Sequence, residues 1–168
     1  MRALSSPSVV VISRRSVLRL GALFALALFP GCGKRSIPAA PTGKKRQPEA
    51  VLATVRSQIG VRYTMGGTSP RTGFDCSGLL FWSFAQHGVK VPRTAKEQAA
   101  CGKSVRRGDL RPGDIVVFRI SAKQGLHTGL ASGNGRFIHS PSSGGKVREE
   151  SIGSSYWSPR FVNGRRVL

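Results

Sequence analysis

Residues 76–87 read CSGLLFWSFAQH, with apolar side chains at Leu79, Leu80, Phe81, Trp82, Phe84 and Ala85. Wound at 3.6 residues per turn, this stretch has almost no polar face. A helix of this kind is expected to be buried on most sides, so the rest of the chain has to cover it. Upstream, PEAVLATVRSQIG (48–60) places apolar residues at 51, 52, 55 and 59, a helical spacing with Gly60 as a stop. The stretch 61–73, rich in Gly with one Pro, reads as a loop. TAKEQAAC (94–101) reads as a short third helix, with Thr94 and Glu97 spaced as a capping box.

The pattern then changes. A turn leads into a β-rich run over 111–120; 126–132 alternates loosely; GNG at 133–135 is a turn signal; 136–140 and 146–151 read as further strands. RFVNGRRVL (160–168) closes the chain. Helices followed by strands predict an α+β domain, an antiparallel sheet with helices on one side. At 168 residues the chain has room for one domain plus appendages.

Lys and Arg number 27 against 7 Asp and Glu. Nine of the basic residues fall before residue 47, and the other 18 are scattered over 47–168 with all 7 acids. The scatter forms no basic helix and has no interleaved aromatic platform, so a nucleic-acid partner is not expected. A basic surface working near acidic material, such as a cell wall or anionic lipid, fits better.

The front of the chain reads as an address. Arg14 and Arg15 precede LGALFALALF (20–29), an uncharged run too short to span a bilayer. A positive segment followed by a short apolar one is an export signal, here over 1–31. The arginine pair resembles a twin-arginine signal; an ordinary Sec signal is the alternative. Cys32 follows Gly31 where cleavage is expected, as in a bacterial lipoprotein signal. Cys32 would then be lipidated, and residues 32–46, rich in Pro, Gly and Lys, would form a flexible tether to a domain over 47–168.

Cys76 stands at the front edge of the apolar helix, after Asp75 as N-cap. A thiol there meets the positive end of the helix dipole and free N–H groups, which predicts a lowered pKa and an oxyanion site. The bland alternative is a packing cysteine. A thiol nucleophile needs a base. His87 lies three turns along the same helix, about 16 Å away, too far to act; it reads as a C-terminal residue complementing the dipole. His127 and His139 lie on consecutive strands. A hairpin loop at 132–134 sets them directly opposite; a loop at 133–135 sets them diagonally on one face; a two-residue loop sets them on opposite faces. A Gly-containing three-residue loop is common, which favours a same-face pair in which one ring is the base and the other orients it. The spacing 76–127–139 matches no compact metal motif, so no metal site is expected.

Taken together, GVRYTMGGTSPRTGFDCSGLL (60–80), VPRTAKEQ (91–98), LRPGDIVVF (110–118), HTGLASGNGRFIHSP (127–141) and YWSPRFVNGRRV (156–167) resemble the NlpC-type cell-wall cysteine peptidases, papain-like in architecture. The resemblance implies Cys76 as nucleophile, His127 as general base and His139 as the orienting residue. It implies Tyr63 at the oxyanion site, Asp75 and Ser77 in the pocket for the amine side of the substrate, and Arg93 facing the cleft. Thr128 stands where the family usually has Val, and Met65 where Tyr or Trp is common. The implied reaction is hydrolysis of a murein stem-peptide bond, often D-glutamyl–diaminopimelate. A monomer without cofactor is expected, bound to peptidoglycan stem peptides and held to the membrane by its lipid, facing the periplasm of the outer membrane. A non-catalytic wall-binding lipoprotein and an acyltransferase or amidase are the competing classes. Cys101, Asp109, Asp114 and Trp82 read as structural, and Trp157 as core or cleft rim.

Overall fold

The computed structural model describes residues 47–121, 125–142 and 145–168. The export signal expected over 1–31, Cys32 and the tether to residue 46 lie outside the described residues.

Helix α1 (Gln47–Arg56) buries Val51, Leu52 and Val55, one stripe of a helix. It ends earlier than the sequence predicts, and turns carry the chain to Gly60, whose φ of 96° suits glycine. The expected loop contains a small antiparallel ribbon, β1 (Thr68–Ser69) with β2 (Gly73–Phe74). Helix α2 (Cys76–Ala85) buries Leu79, Leu80 and Phe84, but Phe81 is 38% exposed, so its cover is less complete than its composition predicts. Helix α3 (Ala95–Gln98) is shorter than expected and opens with the predicted capping box of Thr94 and Glu97.

Six strands follow: β3 (Lys103–Val105), β4 (Ile115–Ser121), β5 (Gly125–Gly133), β6 (Arg136–His139), β7 (Arg148–Ser151) and β8 (Phe161–Arg166). They form one antiparallel sheet in the order β3-β8-β4-β5-β6-β7. The last strand of the chain therefore lies between the first two. Strand β3 was not foreseen: three residues ending in a single buried Val give no alternating signal.

Alternate residues of the sheet enter two cores. Ile115, Val117, Leu130 and Ile138 pack with Val51, Val55, Leu79, Leu80 and Phe84 of the helices. Val116, Phe118, Ala131 and Phe137 pack on the other face with Ile152 and Trp157. Helices cover one face as predicted, and the segment around Trp157 covers the other. This is why Ile115–Phe118 is a continuous apolar run, with all four residues buried.

The β5–β6 hairpin departs from the expected loop. Its turn is two residues, Asn134 and Gly135, with φ of 50° and 67°; both positive values are those of a type I′ turn. A two-residue loop alone would set His127 and His139 on opposite faces. The ladder, however, steps from Gly133↔Arg136 to Ala131↔Phe137, so Ser132 is an extra, bulged residue. The bulge restores the register Leu130↔Ile138 and returns both rings to one face.

Candidate active site

The tip of α2 is fixed by Asp75. Its backbone is extended (φ −83°, ψ 176°), and its side chain accepts from Gly78 N–H at 2.6 Å, an N-cap. The same carboxylate accepts from Arg93 Nη1 and Nη2 at 3.0 and 2.6 Å, from Gly66 N–H at 3.0 Å and from Ser77 Oγ at 3.2 Å. Burial alone would raise the Asp75 pKa. The Arg93 and Gly78 bonds outweigh it and hold the carboxyl below its ordinary range. Arg93 Nη1 also donates to Ser77 Oγ at 3.1 Å. Gly78 has no room for a side chain: a Cβ there would lie 2.0 Å from Gly67 O. The helix tip is thus pressed against the preceding loop.

The Thr128 and Ser77 N–H groups lie near enough to the Cys76 thiol to favour its charged form. Proximity to Thr128 brings the thiol to β5 on the face that carries Gln98; His127, one residue earlier on the strand, points to the other face, onto Trp157. Here a prediction is corrected. Burial pushes the thiol above its ordinary value, and although the N–H groups pull it down, desolvation wins. Position at a helix tip does not by itself lower this pKa.

Behind the tip sits Gln98, fully buried. Its Nε2 donates to Ser77 O at 3.0 Å and to Pro92 O at 2.8 Å, which leaves Oε1 to accept from Thr128 Oγ1 at 2.9 Å. The single hydroxyl hydrogen of Thr128 is committed to Gln98, so toward the thiol this hydroxyl presents lone pairs.

His127 Nε2 and His139 Nδ1 are 2.8 Å apart, with ring planes at 84°. His127 therefore has Nδ1 as its one nitrogen for other chemistry. Trp157 stacks on His127 at 5.3 Å and meets His139 edge-on at 5.1 Å. Burial lowers the His127 pKa to about 3, the neighbouring ring adding to the effect. Burial lowers that of His139 to about 4, opposed by Glu150. Both rings are neutral at pH 7. A pocket of ≈ 400 Å³ opens beside His127, walled by Arg148, Glu150, Tyr156 and Trp157.

The predicted residues therefore fall into two groups. Asp75, Ser77 and Arg93 form one bonded cluster at the tip of α2. Tyr63 is near enough for its pKa to be raised by burial and by Cys76 and Asp75. His127 and His139 form the second group, on the Trp157 side of the sheet. His87 is elsewhere, bonded to Thr54 Oγ1 on α1 at 2.7 Å. Cys101 is a free, half-buried thiol that donates to Gln98 O. Sequence reasoning gave no role to Gln98, Glu150 or the face-on contact of Trp157. Each depends on strand register or tertiary contact, and none carries a local signal.

The NlpC/P60 family profile matches residues 60–166. The chain is 44% identical over 110 residues to Murein DD-endopeptidase MepS/Murein LD-carboxypeptidase of Escherichia coli, 65% of this chain and 57% of the relative. It is 36% identical over 128 residues to Murein DD-endopeptidase MepH of the same organism, 74% of this chain and 47% of the relative. The chain thus spans about half the length of these curated relatives. The structure of the peptidoglycan hydrolase RipB from Mycobacterium tuberculosis superposes with a TM-score of 0.65 at 28% identity, covering 77% of this chain and 68% of that one. The match over 60–166 and these similarities agree with the α+β fold and the order of its elements: the chain belongs to the NlpC/P60 family.

Proposed function

We propose that this protein is a peptidoglycan endopeptidase that uses Cys76 as nucleophile, His127 as general base and His139 to orient His127. The observation that carries this reading is the buried His127–His139 pair, with His127 Nε2 already taken by His139, in an NlpC/P60 chain that sets Cys76 at an N-capped helix tip. Proton transfer from the thiol to His127 Nδ1 makes an ion pair, not an isolated buried charge, so burial does not forbid it. The thiolate attacks the peptide carbonyl, and the oxyanion is met by the Cys76 backbone N–H and Tyr63. His127 then protonates the leaving amine and activates water for deacylation. Asp75 and Ser77 line the pocket for the amine side of the substrate, and Arg93 faces the cleft beside them.

The names of the relatives favour a murein bond of the DD type. The D-glutamyl–diaminopimelate bond suggested by the family resemblance is the alternative. The cellular address belongs to the same proposal: an export signal over 1–31, lipidation at Cys32 and a tether to residue 46, holding a monomeric domain at the periplasmic side of the outer membrane. Digestion of purified murein sacculi by wild type beside Cys76→Ser, with fragments identified by mass, tests the activity and names the bond. Products from wild type alone are expected; equal products from both would remove Cys76 from the mechanism.

A further inference from the structure

His139 uses Nδ1 on His127 and has one other polar atom. That atom, Nε2, is buried without a hydrogen-bond partner and lies 3.7 Å from Glu150 Oε2. Glu150 is itself held from two sides, by the indole N–H of Trp157 and by Arg148 Nε. Strand register explains the approach. His139 is opposite Arg148 and Phe137 is opposite Glu150, so Glu150 is the diagonal neighbour of His139 on the same face. His139 stands in the same diagonal relation to His127. The three side chains form a row across β5, β6 and β7, with Trp157 stacked on His127, edge-on to His139 and bonded to the carboxylate.

We propose that Glu150 is a positioning residue for the reaction. Its carboxylate favours the tautomer of His139 that carries its hydrogen on Nε2. Nδ1 of His139 is then an acceptor, and the hydrogen between the rings belongs to His127 Nε2. That leaves His127 Nδ1 as the basic nitrogen. When His127 takes the thiol proton, the positive ring is stabilised through neutral His139 by the carboxylate beyond it. No proton leaves His139 at any step. At 3.7 Å the His139–Glu150 contact is longer than a hydrogen bond, and such contacts commonly tighten once substrate is bound. The charged and titratable groups facing His139 are His127 from β5 and Arg148 and Glu150 from β7; Phe137 and Trp157 contribute aromatic rings. Arg148 opposes the carboxylate electrostatically, but it is the more exposed of the two, 48% against 27%, and the more screened.

This proposal rests on the assignment of Cys76 and His127 above, and its test separates the two. Full-length Glu150→Gln, Glu150→Ala and His127→Ala are compared with wild type in the pH profile of murein digestion. The rate of iodoacetamide alkylation at Cys76, located by mass, is followed over the same pH range. Gln keeps the shape and an acceptor oxygen for Trp157 while giving up the charge and the acceptor for Arg148; thermal unfolding reports whether each Glu150 variant is folded. In Glu150→Gln the alkaline limb of digestion is expected to move down by about one pH unit, because the imidazolium has lost its distant counter-charge. Alkylation near neutral pH is expected to slow severalfold. Unchanged profiles in Glu150→Gln overturn the proposal. If His127→Ala also alkylates as wild type does, the thiol–imidazole pair is wrong and the mechanistic assignment fails first.

Discussion

Thr128 Oγ1 donates to Gln98 Oε1 at 2.9 Å, and both side chains are fully buried. The bond ties β5 to a residue that also holds the carbonyl of Ser77, the residue after the proposed nucleophile. It fixes the distance between the helix tip and the strand that carries His127.

Thr128→Val should therefore destabilise the domain by about 1–3 kcal/mol, because it leaves Gln98 Oε1 buried without a donor. The digestion rate should fall with it. Replacing both partners, Gln98→Leu with Thr128→Val, should cost less than the sum of the single changes, since neither polar atom is then stranded. Urea unfolding of the four proteins measures the coupling; strict additivity would show that the bond does not act as a unit.

The histidine pair should make the domain acid-sensitive. Both rings have folded pKa values below the unfolded value of 6.5, at about 3 and about 4. A base with a lowered folded pKa adds stability above its unfolded pKa and loses it as pH falls toward the folded one. The melting temperature should accordingly drop as pH goes from 6.5 toward 4, and the slope should flatten in His139→Asn. A slope unaffected by that change would assign acid sensitivity to other groups.

Gly129 lies on β5 between His127 and the strand bulge, against β6. A Cβ there would lie 2.7 Å from a Phe137 ring carbon, 2.8 Å from Ile138 O and 3.0 Å from His139 Cβ. Gly129→Ala should cost about 1–3 kcal/mol through overpacking. It should also depress hydrolysis by displacing His139, while Cys76 remains available to alkylation. Chemical denaturation and the two activity readouts distinguish this from global unfolding.

Cys32→Ala should release the protein from membranes into the soluble envelope fraction after a salt wash. Retention of the variant on washed membranes would make the lipid on Cys32 unnecessary for attachment.

Parts of this architecture were legible in the chain and parts were not. The Asp-Cys pair ahead of an apolar run located the helix tip, because capping chemistry and burial are both local. The Thr94–Glu97 box was legible for the same reason. The same-face histidine pair was expected, yet for the wrong loop: a longer turn was predicted where a two-residue turn and a bulge occur. Positive φ at Asn134 and Gly135 suited an Asn-Gly turn, but nothing local announced Ser132 as the extra residue. Glu150 and Gln98 were hidden for a deeper reason. Their partners lie 11 and 30 residues away, at His139 and Thr128, and are found only once strands are in register. The lowered thiol pKa failed because burial, a property of the assembled domain, outweighed the dipole of one helix.

The bulge at Ser132 also sets a rule for how this hairpin can change length. Strand faces alternate, so parity is what counts: removing one residue from the β5–β6 connection, without a compensating bulge elsewhere, would turn His139 and Phe137 out of their core and bring Ile138 in. Changes of two residues would leave the faces intact. Insertions and deletions here should therefore survive in even steps, and a single-residue deletion should be far more damaging than its size suggests.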